Sequence, residues 1–235
     1  MRANECAGVC LTEVMVAMTA GVVVLAAVLH IFNIVHGQAV HQQRTVAQQQ
    51  DLRLGLEVFE QEVRLATAAS IVTALPDELV FLANVSSLRT NLTAAALPGQ
   101  TTLAVQDGSG WSAGKTVIVC GPSACESHRL ARDGQRAVLT LTEPVGQVLP
   151  AGASVEVSNR LSYYTKPDGA GTVKLMRMVD GGASTVMGEL QSVQLAYRDG
   201  AGRSTAVTTS IRRVVARITP SHSPVAVLRD VGLRS

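Results

Sequence analysis

The chain has 235 residues, of which 47% are apolar and 16% are charged, and its formal net charge is +2. That length is enough for one or two domains with a real core, and the apolar content excludes an intrinsically disordered chain. Lysine and arginine are spread along the sequence rather than clustered, so nucleic-acid binding is unsupported.

The first predicted element is a membrane-spanning helix near the N-terminus. Residues 14–35 contain no Asp, Glu, Lys or Arg and are mostly Val, Ala, Leu, Ile and Met. At about 1.5 Å per residue, this run crosses a hydrocarbon core about 30 Å thick. A secretory signal peptide fits less well, because the start of the chain is weakly basic and the apolar run continues into polar helical sequence.

Glu13 stands at the start of this apolar run. A carboxylate there costs on the order of 2.5 kcal/mol on insertion scales unless another group compensates it. The surrounding segment, GVCLTEVMVAM at residues 8–18, resembles the prepilin signature of type IV pilins and type II secretion pseudopilins. The resemblance implies that prepilin peptidase cuts between Gly8 and Val9 and methylates Val9. It also implies that Glu13 is an assembly contact, opposite the N-terminal amine of a neighbouring subunit.

Beyond the membrane span, the helix is expected to continue as an amphipathic segment. Apolar positions recur every three or four residues between polar ones, which is the pattern of one apolar helix face. These positions are Leu52, Leu56, Phe59, Val63 and Ala66. One helix over about 11–69 is expected after a leader peptide of residues 1–8, with 9–36 in the membrane and 37–70 packed on a head. Residues 51–66 also resemble the same stretch of PilW-type minor pilins and J-type minor pseudopilins.

Residues 71–235 are predicted to form a β-rich periplasmic head. Alternating or β-branched runs are separated by Gly, Pro, Asp and Ser, which is the pattern of short strands and turns. The runs are 78–85, 101–105, 116–120, 137–142, 154–158, 161–165, 172–179, 192–198 and 211–219. The late runs resemble the antiparallel sheet that ends PilW-like heads. The predicted fold class is therefore α+β with a pilin-like layout, a long N-terminal helix packed on an antiparallel sheet.

The middle of the chain contains an internal near-repeat. LAVQD at 103–107 and AGKTVIV at 113–119 are matched by LTLTE at 139–143 and AGASVEV at 151–157. Each copy predicts a strand, a Gly-containing loop, an Ala-Gly turn and a second strand, and two such β-hairpins can pair into a small sheet or barrel. We expect an inserted β subdomain at about 95–159. The sequence leaves open whether it docks a partner or is a purely structural elaboration.

Two cysteines are expected to form a disulfide. Cys120 and Cys125 stand at the ends of a Gly-Pro turn, close enough to bond in an oxidising compartment such as the periplasm. A zinc site would need two further ligands, and only His128 lies nearby. The sequence contains no metalloprotease motif, nucleophile elbow or phosphate-binding loop. We therefore expect no catalytic site, no metal, no cofactor and no enzyme activity.

The resemblance implies a minor pilin or pseudopilin, a structural subunit that takes part in assembling or priming a type IV pilus or a type II secretion pseudopilus. It would be anchored in a bacterial inner membrane by one span, with a periplasmic head. Its expected partners are other minor subunits, the major subunit, prepilin peptidase and membrane lipid. The alternative is a membrane-tethered adhesin or binding module acting through the inserted subdomain. A secreted enzyme, which would require cleavage near Gly37, is the third hypothesis.

Overall fold

The structure, a computed structural model, describes residues 11–122, 124–169, 171–221 and 223–234. One helix, α1 (Leu11–Val63), precedes all of the strands, and the α+β class predicted from the sequence is confirmed. The chain divides into two compact units between Leu52 and Arg53, within α1. The strands are β1 (Ile71–Ala74), β2 (Glu78–Ala83), β3 (Arg89–Asn91), β4 (Thr102–Ala104), β5 (Thr116–Cys120), β6 (Cys125–Arg129), β7 (Val138–Thr140), β8 (Ser154–Val157), β9 (Asn159–Pro167), β10 (Val173–Val179), β11 (Gly182–Arg198), β12 (Arg213–Pro220) and β13 (Val227–Gly232).

The helix ends at Val63, earlier than the sequence pattern predicts. Past this point the backbone hydrogen bonds tighten, because the amides of Leu65 and Ala66 donate to the carbonyls of Glu62 and Val63, each at 3.0 Å. Such bonds between residues three apart satisfy the last carbonyls of a helix. Ala66 is still buried, but it lies in the turn that follows the helix.

Seven strands form the main antiparallel sheet, in the order β1-β2-β9-β10-β11-β12-β13. Along β12, Val214, Ala216 and Ile218 are buried and alternate with more exposed residues, as expected for a sheet with one face on a core. The sheet is curled, so that β11 reaches the turn between β1 and β2. There the Tyr197 hydroxyl donates to the carbonyl of Leu75 at 2.7 Å.

The remaining six strands form a small closed barrel. Four of them pair in the order β3-β8-β5-β6, and β4 pairs with β7. Bridges from Leu92 to Val105 and from Leu130 to Leu141 join these two sheets into one ring. The barrel has a hydrophobic core of its own, formed by Leu92, Ala96, Leu103, Val105, Trp111, Val117, Val119, Leu130, Leu139, Leu141, Val145, Leu149, Ala153, Val155 and Val157.

The two sequence repeats form the two halves of this barrel. Equivalent strands pair with each other across the repeats: β4 with β7, where Leu103 stands opposite Leu139, and β5 with β8. The expectation of one β-hairpin within each repeat is therefore wrong. A lone hairpin would leave an apolar face open, whereas pairing the repeats buries Leu103 and Leu139 completely.

A two-stranded ribbon connects the barrel to the main sheet. Ala83, the last residue of β2, pairs with Asn159, the first residue of β9, and Arg89 pairs with Glu156 where β3 and β8 begin the barrel. The chain therefore enters and leaves the barrel side by side. The barrel strands start at Arg89 rather than near residue 95, because the short strand Arg89–Asn91 has no apolar alternation that the sequence could reveal.

Asp180 fixes the base of the ribbon. Its carboxylate accepts hydrogen bonds from Lys115 Nζ at 2.6 Å, from Asn159 Nδ2 at 2.8 Å and from the backbone amide of Arg160 at 2.9 Å. Lys115 belongs to the barrel and Asp180 to the main sheet, so this ion pair joins the two. Burial raises the pKa of the Asp180 carboxyl, but the three donors more than offset this effect and hold that pKa below its ordinary value.

We predict that Asp180→Asn makes the free energy of unfolding less dependent on acidic pH. The folded-state pKa of Asp180 lies below the unfolded value of about 3.9, so its contribution is present above that value. It is lost as the pH falls through the folded pKa. Urea unfolding of the full-length protein in detergent, from about pH 5 to about pH 2, measures this difference.

The matched control is Asp168→Asn, which removes a surface ion pair to Lys174 on the same sheet. We expect this control to change the pH dependence less than Asp180→Asn does. If the stability gap between wild type and Asp180→Asn stays constant over the whole pH range, the proposed role of the Asp180 carboxylate is wrong.

Candidate membrane anchor and assembly site

The first part of α1 has the length and composition of a membrane span. From Glu13 to Gln38 it runs for 26 residues, and none of its most apolar stretch is buried within the structure. At about 1.5 Å per residue the segment is about 39 Å long, more than the roughly 30 Å of a hydrocarbon core. Of the residues that the structure describes, only this helix is long and apolar enough to cross a membrane.

Glu13 lies in the first turn of this helix, and its side chain is exposed. A carboxylate in a first turn interacts favourably with the positive end of the helix dipole, by about 0.3 to 1 kcal/mol. That is less than the cost of placing the charge in hydrocarbon, which is about 2.5 kcal/mol or more. Gly8 and Val9 lie outside the described residues, so cleavage between them and methylation of Val9 stay predictions.

The last turns of α1 pack into the head. Leu56, Phe59 and Val63 are buried, and the Phe59 ring meets the Tyr163 ring of β9 edge to face, with centroids 5.0 Å apart. Gly55 allows the backbones of α1 and β11 to approach closely, because a Cβ atom there would lie 2.3 Å from Met187 Cγ. The helix therefore contributes to the core of the head as well as to the apolar span.

A buried carboxylate secures this end of the helix. Glu62 of α1 accepts a bidentate hydrogen bond from the Arg177 guanidinium of β10, with Arg177 Nε 2.8 Å from Glu62 Oε2. It also accepts a hydrogen bond from the Tyr163 hydroxyl. Burial and the adjacent carboxylate raise the pKa of Tyr163, so this hydroxyl remains a donor. Three elements, α1, β9 and β10, thus meet at one carboxylate.

An open groove of about 800 Å³ lies beside the ribbon in the head. Residues from the turn after α1, from β2 and from the outer surface of the barrel line it, and Arg234 lies at its edge. Cys120 and Cys125 are also part of its wall; they are joined by a disulfide that closes the turn between β5 and β6, with Cα atoms 4.0 Å apart. The ring of His128 lies beside a carboxylate, with Nε2 2.9 Å from Glu126 Oε2.

The contacts of Glu62 were not predicted from the sequence. Glu62 follows Phe59 by three residues and so lies on the predicted apolar face of the helix, where a carboxylate indicates a buried ion pair. Its partners Tyr163 and Arg177 lie 101 and 115 residues away, and a single sequence gives no means of pairing residues that far apart. Among the predicted site residues that the structure describes, Glu13 belongs to the first compact unit, and Cys120 and Cys125 belong to the second.

Comparison of the chain with protein-family models, with curated proteins and with solved structures finds no match. The prepilin-like segment at the N-terminus therefore remains a resemblance in sequence.

We predict that Glu62→Gln lowers the free energy of unfolding by about 2 to 4 kcal/mol, because it removes the buried carboxylate that pairs with the partly buried Arg177 charge. Glu60→Gln is the matched control on the same helix. It removes an exposed ion pair with Arg64 and should change stability by less than about 0.5 kcal/mol. Urea unfolding of the full-length protein in detergent measures both, and equal losses would contradict a special role for Glu62.

Proposed function

We propose that the chain is a minor pilin or pseudopilin, made as a prepilin and built into a type IV pilus or a type II secretion pseudopilus. The observation that carries the proposal is the single helix Leu11–Val63. Its first part has an apolar surface suited to a membrane, and its last turns are part of the core of a β head. A helix of this kind suits a subunit that is anchored in a membrane before it is assembled into a filament.

The position of Glu13 supports the same proposal. A plain membrane anchor gains nothing from a carboxylate at its entrance, whereas a subunit that pairs this charge with the N-terminal amine of a neighbour recovers the cost of burying it. The prepilin-like segment around Glu13 supplies such an amine if the chain is cut before Val9. We propose Glu13 as the assembly contact.

The rest of the proposal follows from that assignment. The protein would cross a bacterial inner membrane once, with its head in the periplasm, where a disulfide between Cys120 and Cys125 can persist. Its partners would be prepilin peptidase, the major subunit and other minor subunits. It would act through its surfaces, as a structural subunit without enzyme activity.

We predict that the mature chain starts at a methylated Val9 in cells with prepilin peptidase and at Met1 in cells without it. Intact-mass and N-terminal peptide mass spectrometry of the protein from both strains measures this. Gly8→Val should block processing, and Gly21→Val, at a helix position with no atom near the added side chain, should not. A start near Gln38 would contradict the proposal and favour a secreted protein.

A second candidate function is a tethered binding module that acts through the barrel. The barrel has its own hydrophobic core, is joined to the main sheet by one ribbon, and forms part of an open groove. These features suit a separate recognition module, since the barrel adds surface to the protein and its core contains no residue of the main sheet.

The ribbon allows a clean deletion test. Ala83 and Asn159 are cross-strand partners, so replacing residues 84–158 by Asn-Gly closes a two-residue hairpin between β2 and β9. We predict that this variant still reaches the membrane and is still processed, because the helix and main sheet remain. If the barrel is a binding module, filament assembly survives and surface binding is lost. Loss of assembly in a folded variant would instead place the barrel among the assembly contacts.

A further inference from the structure

The hydrogen-bonding side chains of the charge-free run at residues 14–35 lie on one face of α1. Between residues 14 and 35 these side chains are Thr19, His30 and Asn33. With about 100° of rotation per residue, all three fall within an arc of about 60°. The small residues Ala26 and Gly37 lie in the same arc. We call this surface, formed by Thr19, Ala26, His30, Asn33 and Gly37, the polar face.

Two of these side chains have no hydrogen-bond partner in the part of the chain that the structure describes. The Thr19 hydroxyl donates to the carbonyl of Val16 at 2.9 Å, within its own helix. His30 and Asn33 are exposed and make no hydrogen bond with another described residue. In hydrocarbon, such groups are costly unless they are paired, and membrane helices commonly pair them with a neighbouring helix.

We propose that the polar face is the contact by which two copies of this chain pair in the membrane. This inference rests on the membrane location given in the proposed function. Both heads lie on the same side of the membrane, so the two helices are parallel and Asn33 meets Asn33. A carboxamide both donates and accepts hydrogen bonds, so this residue complements its own copy.

The spacing of the polar face fits a helix pair. Together with the neighbouring Val23, the residues of the polar face recur at alternating intervals of four and three residues, which is the heptad pattern of helices that cross at about +20°. Ala26 and Gly37 are small residues of the kind that let two membrane helices approach closely.

The polar face is separate from the proposed assembly contact. Glu13 lies about a third of a turn away from it around the helix axis. Pairing through the polar face therefore leaves Glu13 free to meet a different subunit, and a pair of copies can form before either joins a filament.

Cysteine crosslinking of the full-length protein in membranes tests the pairing. In a chain with Cys6→Ser and Cys10→Ser, Ala26→Cys places a thiol on the polar face, and Val28→Cys places one on the opposite face. Mild oxidation should give disulfide-linked dimers from Ala26→Cys, with at least about tenfold less from Val28→Cys. Adding Asn33→Leu to Ala26→Cys should lower the dimer fraction about three- to tenfold, while Asn33→Gln should retain it.

Equal crosslinking from both faces, no dimer from Ala26→Cys, or a crosslink only to a different protein would overturn the pairing. Intact mass measured on the same samples separates this result from the proposed function. A chain that starts at Val9 but gives no dimer overturns only the pairing. A chain that dimerises but is never processed overturns only the prepilin assignment.

Discussion

The head depends on one packing interaction, the burial of the last turns of α1 against the curled sheet. Phe59 is completely buried there and meets Tyr163 edge to face, and burying a side chain of this size contributes about 1.5 to 3 kcal/mol. The curl of the sheet follows from the same contact, since inner-face residues from β2 to β13 are buried together with the helix. Glu62 then fixes the helix at its position by hydrogen bonds to two strands.

The barrel forms a second hydrophobic core that is separate from the core between α1 and the main sheet. Because its two halves are sequence repeats that pair strand for strand, its apolar residues face each other and require nothing from the main sheet. The loops are tightly fitted as well: a Cβ atom at Gly134 would lie 2.2 Å from the carbonyl oxygen of Gly108. An insertion closed in this way can be placed between two paired strands at little cost to them.

The sequence predicted those parts of the fold that local pattern determines. The apolar run, the α+β class and strands such as β2, β10 and β12 follow from residue periodicity and turn residues, whereas β11 (Gly182–Arg198) was predicted only from residue 192 onwards. Strands β1, β3, β6 and β13 were missed, and β6, with the sequence CESHR, shows why: only His128 of its residues is buried, so no apolar alternation exists to be read. The pairing of the repeats and the contacts of Glu62 and Asp180 join distant residues, and periodicity contains no information on such pairs.

Two carboxylates, the buried Glu62 and the more exposed Asp180, also link the elements of the head. Glu62 joins α1 to β9 and β10, and Asp180, at the end of β10, joins the main sheet to Lys115 of the barrel. One strand therefore carries both attachments, a few residues apart. The two links differ in burial, because Glu62 lies in the core whereas the side chains of Lys115 and Asp180 keep 34% and 29% of their accessible surface. The barrel is attached to the main sheet by the ribbon together with the hydrogen bonds of Asp180 to Lys115, Asn159 and Arg160, so the link between them combines backbone pairing with charge.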